Sequence, residues 1–178
     1  MTIRHVVASV AIGGLMFVGG GGVAGAGAVH DPSSGSVHNQ AETIVDAVPC
    51  AGDFVIDLVY NATQHDVENK NGDWETFTQA GTFSALTPVT ITARDPDTGE
   101  ATAWVPRTGP TYTGHFTIWG NFNLNREGQP QENTNSSFTF DGHGTGSDGS
   151  TVSWHENAHM NVSPGDVTRA AFDNFVCH

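Results

Sequence analysis

Beyond the first fifty residues the chain alternates apolar and polar side chains one by one. Val152, Trp154, Glu156, Ala158, Met160 and Val162 share one parity, while Ser153, His155, Asn157, His159, Asn161 and Ser163 share the other. That is the period of a strand with one face buried, since successive side chains of an extended chain point to opposite sides. Thr111 to Asn125 repeats it, with Tyr112, Phe116, Ile118, Phe122 and Leu124 on one side and Thr113, His115, Thr117, Asn121 and Asn123 on the other. Trp119 sits on the polar side of that segment, and Gly114 and Gly120 on the apolar one.

Six further segments carry the same signal. The first runs from Asp53 and alternates Phe54, Ile56, Leu58 and Tyr60 with Val55, Asp57, Val59 and Asn61. Trp74 to Ala85, rich in Thr and Phe, is the second, and Gly81 within it predicts a bend or bulge. Val89 to Arg94 is the third and ends at the turn residues Asp95-Pro96-Asp97-Thr98-Gly99. Ala101 to Arg107 is the fourth, Ser136 to Asp141 the sixth and Val167 to Val176 the eighth. Gly142 to Gly149 reads as a Gly/Ser-rich connection, and Arg126 to Pro130 and Ser163 to Asp166 read as turns. No segment shows a helical stripe.

Eight strands joined mostly by short turns predict an all-β meander. A meander of that number closes into an antiparallel up-and-down barrel, which removes both edges. A two-sheet β-sandwich is the alternative. Cys50 and Cys177 bracket the patterned region. In a closed antiparallel barrel the start of the first strand lies beside the end of the eighth. A disulfide there locks the seam and, by chain entropy, adds about 4 to 5 kcal/mol.

Met1 to His5 is basic and free of acids, and it leads into an apolar, Gly-rich run up to Val23. Ala24-Gly25-Ala26 and Ala26-Gly27-Ala28 both offer a small-x-small cleavage pattern. Residues 1–28 are therefore expected to be a signal peptide, with Ala26 as the other cleavage point. A membrane anchor is the competing reading, disfavoured by the glycines and the lack of a basic stop-transfer flank. Residues 29–49 are polar without a sustained period and are expected to form a flexible leader to a domain over 50–178. Export places the chain where two cysteines pair. Of six Lys and Arg, all but Arg4 remain after processing, against nineteen Asp and Glu. Such a surface repels nucleic acid and anionic lipid. The sequence does not settle the oligomeric state.

The segment Gly144-Thr145-Gly146-Ser147-Asp148-Gly149-Ser150, followed by a strand with His and Ala-His, a Val-Ser-Pro-Gly-Asp-Val turn and a Phe-rich strand ending in Cys, carries a resemblance. It resembles the C-terminal half of small secreted actinobacterial proteins of unknown function. The resemblance covers mainly Cys50 to Cys177. It implies secretion and a lipocalin-like barrel, and it brings no catalytic residue with it.

His155-Glu156-Asn157-Ala158-His159 matches the zinc-peptidase pattern H-E-x-x-H. The pattern has that meaning on a helix, where the two histidines share a face. In a strand they lie roughly 13 Å apart at about 3.3 Å per residue, too far for bonds of about 2 Å to one ion. No glutamate follows Glu156, and Val162 stands where the longer metal-binding continuation needs Gly. His155 and His159 are therefore read as polar-face residues, with a zinc site as the minor alternative.

Glu156 shares parity with Trp154. A carboxylate on the apolar face needs a partner, and Arg94, Arg107 and Arg169 are the available cations. Glu156, Trp154, Tyr112 and Phe116 are the candidate ligand-binding residues. Gly72-Asp73-Trp74 matches the G-x-W of lipocalins but follows the first strand instead of opening the barrel. Asp95-x-Asp97-x-Gly99 resembles the start of a calcium loop, yet its twelfth position is Pro106, and a turn explains it better. The sequons at Asn61, Asn135 and Asn161 matter only in a glycosylating host.

No nucleophile has an evident base, and no motif points to a cofactor. The chain reads as an exported, non-catalytic β-barrel binding a small apolar or amphipathic molecule. The alternatives are an enzyme, either a barrel isomerase or cyclase using Glu156 or a zinc hydrolase, and a structural or surface-interaction protein.

Overall fold

A computed structural model of the chain describes residues 35–69, 72–96, 98–125, 134–163 and 167–178. These residues form β1 (Gly35–Val48), β2 (Gly52–Asn69), β3 (Gly72–Arg94), β4 (Ala101–Pro106), β5 (Tyr112–Asn125), β6 (Thr134–Gly146), β7 (Thr151–Ser163) and β8 (Val167–Cys177). All pairings are antiparallel, and the strands belong to one sheet in the order β1-β2-β3-β5-β6-β7-β8, with β4 attached to β3 alone. The expected signal peptide lies outside the described residues, as do the turns at 126–130 and 164–166.

The number of strands agrees with the sequence reading, but two differences cancel to give it. The first is at the N-terminus. Residues 35–48, within the expected flexible leader, form β1, paired with β2 from Gly35↔Gln64 to Val48↔Gly52. The second is β3, which runs unbroken through the expected second and third strands. Leu86 is the extra residue between Ala85↔Ile56 and Thr87↔Val55, so a bulge stands where a loop was expected and the chain remains extended. Gly81, where a bend or bulge was expected, pairs in regular register with Tyr60 and Phe116. A Cβ there would lie 2.4 Å from the Val59 carbonyl oxygen. Close backbone approach, not bending, requires glycine at this position.

Residues 72–85 of β3 pair with β5, whereas Val89 to Arg94 pair with β4. The β3–β4 hairpin thus extends past the end of β5, and all of β4 except Ala101 is exposed. Its turn is held by local bonds: Asp95 N to the Glu100 carbonyl at 2.8 Å, Gly99 N to the Asp95 carbonyl at 2.9 Å and Thr98 N to Asp95 Oδ1 at 2.9 Å. Asp95 therefore spends its oxygens on the turn, as a turn-forming aspartate does.

Six reversals separate β1 from β8 along the main path. These two outer strands consequently run parallel, and both end at the same end of the sheet. Cys50, in the turn after β1, and Cys177, at the end of β8, form a disulfide with Cα atoms 5.9 Å apart. The pairing of the cysteines agrees with the sequence reading, but its geometry differs, because the bond joins two C-terminal strand ends and not a start to an end. His178 N donates to the Ser153 carbonyl at 2.9 Å, fastening the same corner. Among the described residues β1 and β8 are not hydrogen-bonded to each other, so the sheet has two ends and is not closed by its backbone.

The core lies on one face of the curled sheet. Phe54, Ile56, Leu58, Tyr60 and Ala62 of β2, Phe77, Phe83 and Ala85 of β3, Tyr112, Phe116 and Ile118 of β5, Phe140 of β6 and Val152 and Trp154 of β7 are all buried. Large side chains are accommodated by glycines on the next strand. Gly142, Gly144 and Gly146 are strand residues of β6, not the connection expected from their composition. A Cβ on Gly142 would fall 1.9 Å from the Trp154 ring, and Gly144 lies under Phe83. Alternating large and small residues in this way is how a narrow β interior is filled.

Candidate functional site

The inner face encloses a pocket at the disulfide end, and six strands contribute to its wall. Ile44 and Val48 come from β1, Ile56 and Leu58 from β2, Phe83 from β3, Phe116 and Ile118 from β5, Phe140 from β6 and Trp154 from β7. Walls from both β1 and β7 show how far the sheet curls. The pocket offers about 40 Å³ to the centres of water-sized molecules. Its wall is apolar because each of these positions is an inward one in its strand's alternation.

Trp154 is the central residue of that wall. Its ring meets Phe140 edge-on with centroids 5.3 Å apart and lies tilted against Phe83 at 5.7 Å. Only 3% of the residue is exposed, and its indole Nε1 is buried with no hydrogen-bond partner. A buried N–H without an acceptor costs on the order of 1 to 3 kcal/mol.

The register places a polar row at the edge of the pocket. Gln79 pairs with Ile118, Ile118 with Phe140, and Phe140 with Glu156. Gln79 and Glu156 are the two buried polar side chains of the described core, at 4% and 3% exposure, and Gln79 Nε2 has no partner. Farther from the disulfide the inner face becomes acidic. Glu42 accepts from the Tyr60 hydroxyl at 3.3 Å, and Asp66 pairs with Glu75 across β2 and β3. Burial pushes the Glu75 carboxyl above its ordinary pKa, and the Asp66 charge adds to this. Burial likewise raises the Tyr60 hydroxyl, with the Glu42 charge and hydrogen bond contributing further.

No protein-family model, curated protein or solved structure matches the chain.

Of the candidate ligand-binding residues, Trp154 and Phe116 line the pocket. Tyr112 lies on the same inner face, packed edge-on against Phe54 at 5.7 Å, with its hydroxyl accepting from Ser150 Oγ at 3.2 Å. Glu156 lies inward, one strand from Phe140. Two of the cations considered for it are engaged elsewhere. Arg94 Nη2 is 2.9 Å from Asp46 Oδ1. Arg107 lies over the Phe54 ring at 5.4 Å and donates from Nε to the Val89 carbonyl at 3.0 Å. The side chain of Arg169 lies outside the described residues.

The H-E-x-x-H residues are split between the two faces of β7. His155 and His159 point outward to different residues of β6. His155 Nδ1 is 2.6 Å from Asp141 Oδ1, and His159 Nδ1 is 3.0 Å from Ser137 Oγ. Glu156 points into the core between them, so the three side chains do not converge on one ion. Trp119 is 44% exposed, in agreement with its polar-side parity.

Sequence reasoning missed Ile44 and Val48 as pocket residues. Their parity in β1 is shared by Glu42 and Asp46, which blurs the contrast that marks a buried face. It also passed over Gln79, whose inward parity between Phe77 and Phe83 is visible in hindsight from spacing alone.

Proposed function

We propose that this is an exported, non-catalytic β protein whose sheet closes as a lipocalin-like barrel around a small, predominantly apolar molecule. The observation that carries the reading is the pocket wall: nine side chains from six strands, all apolar, inside a chain with a formal net charge of −13. Concave apolar sites with a few polar groups at their edge are the usual form of small-molecule sites. The disulfide favours an oxidising compartment, in keeping with export.

Size limits the ligand. An engineered cavity of about 150 Å³ takes up benzene, and this pocket is a fraction of that. The occupant is therefore small, or it widens the pocket at the β1–β8 seam beyond the disulfide, where among the described residues the two strands share no backbone hydrogen bonds.

The test is methyl NMR of the secreted, disulfide-intact protein titrated with cyclopentane. Shifts confined to Ile44, Val48, Ile56, Leu58 and Ile118, saturating with concentration and accompanied by a higher Tm, are expected. Uniformly unmoved methyls would identify a filled scaffold and overturn the binding reading. Mass spectrometry of small molecules extracted from natively secreted material would then identify the occupant.

A further inference from the structure

Independently of the pocket, we infer that the outer face of the sheet carries a site for a divalent transition-metal ion such as Zn²⁺, held between the imidazoles of His115 on β5 and His143 on β6. The two residues are direct cross-strand partners. Both are exposed, and their ring centroids lie 5.9 Å apart with the planes at 47°. An ion about 2.0 to 2.1 Å from one nitrogen of each ring sets the centroids roughly 4.5 to 6.4 Å apart, for ligand angles from square to linear. The spacing in the structure falls inside that range. No motif along the chain joins these two histidines, and only the β5–β6 register brings them together.

The pair stands on sheet and not on a loop. β5 and β6 pair without a register shift from Tyr112↔Gly146 to Leu124↔Thr134, and each has a hydrogen-bonded strand on its other side, so the backbone fixes the distance between the two side chains. The next residues across the sheet are short: Thr82 of β3 beside His115 and Ser153 of β7 beside His143. They leave the ring edges open to an ion from solvent. The outward histidines of β7 are engaged elsewhere, His155 Nδ1 at 2.6 Å from Asp141 Oδ1 and His159 Nδ1 at 3.0 Å from Ser137 Oγ. Asp141 also lies two residues from His143 on the same face of β6, and its carboxylate adds negative charge beside the pair. Among the described residues no group of three metal-ligating side chains converges, so the ion keeps water at its remaining positions and exchanges with solvent. Two imidazoles also choose the ion. Nitrogen ligands suit Zn²⁺, Ni²⁺ and Cu²⁺, whereas Mg²⁺ and Ca²⁺ take oxygen.

Zn²⁺ is the probe, added to the untagged, disulfide-intact protein in excess Mg²⁺, which occupies carboxylates on a chain of net charge −13. Histidine ring resonances are followed by NMR. Those of His115 and His143 are expected to shift together and to saturate, while those of His159 stay in place. By calorimetry, His115→Gln and His143→Gln should each weaken Zn²⁺ binding about ten-fold or more, since even the outer partners of a metal site are worth that much. His159→Gln should leave the affinity within about two-fold, as a distant and independent site does. Equal thermal midpoints without metal check that the variants, all on the outer face, keep the fold. If one of them does not fold, the ring shifts of the unaltered protein decide alone. Zn²⁺ that moves neither ring, or an affinity that survives either substitution in the pair, would overturn the site. Neither result touches the apolar pocket, whose test is separate.

Discussion

The two ends of the inner face are built from different chemistry on the same strands. Toward the disulfide, β2, β3, β5 and β7 present Phe54, Ile56, Phe83, Phe116 and Trp154, with Gly114, Gly142 and Gly144 making room for the rings. Away from it the same faces present Gln79, Glu156, Glu75, Asp66 and, on β1, Glu42. Apolar burial stabilises by roughly 25 cal/mol for each Å² removed from water, whereas a buried polar group costs free energy where it lacks a partner. Glu42 accepts from Tyr60 and Asp66 from Gln64, while Gln79 Nε2 has no partner, so the cost at the polar end rests on that one amide.

The largest effect expected from this contrast is at the clasp. Replacing both Cys50 and Cys177 by Ser releases a closure spanning 127 residues and should lower stability by about 5 kcal/mol on the chain-entropy account. Chemical denaturation of the variant beside the oxidised protein measures it. A loss below about 1 kcal/mol would mean that the curled sheet holds its own ends together.

Next comes Gly142→Ala, whose new methyl would stand 1.9 Å from the Trp154 ring. A loss of about 2 to 3 kcal/mol is expected from overpacking. Gly35→Ala, with nothing within 4 Å of its Cβ, should stay within about 0.5 kcal/mol as the surface control. Similar midpoints for the two variants would contradict the ring-over-glycine packing.

At the polar end the sign reverses. Gln79→Met keeps the volume and removes an unpartnered donor, so stability should be unchanged or rise by about 1 kcal/mol. A clear loss, read from the thermal midpoint, would show that the amide is paired.

Glu75→Gln carries the smallest effect. Glu75 holds its proton more tightly folded than unfolded, first because of burial and then because of Asp66, so its contribution falls as pH rises from the ordinary value of 4.5 through the raised folded one. The Gln variant should thus be slightly more stable than wild type at neutral pH and lose that advantage below the ordinary value. Screening by solvent keeps the difference to a fraction of a kcal/mol. A pH-independent difference would mean that the carboxyl is not perturbed.

How much of this could be read in advance varies by region. β5 and β7 were fully legible, because each contrasts aromatic or aliphatic residues on one parity with Thr, Asn and His on the other. β1 was not, since its inward positions mix Ile44 and Val48 with Glu42 and Asp46, and a strand identified by contrast disappears when the contrast does. The Gly142–Gly146 stretch was misread for the opposite reason. Composition says loop, yet the alternate glycines face inward and the missing side chains are supplied by Trp154 and Phe83. Of the pocket wall, Trp154 and Phe116 could be singled out by parity, while Phe83 and Phe140 were apparent only as members of strands.

Local alternation by itself determined the strand character, the inward faces and the outward histidines. These follow from period two, which each segment records in its own residues. Which strands neighbour one another, that β3 bends past a bulge to take β4 aside, that β1 and β8 end up parallel, and that an indole N–H is left without an acceptor were decided only by tertiary structure. Each of those depends on residues tens of positions apart meeting in a fixed register, and register is a property of pairs that no single segment encodes.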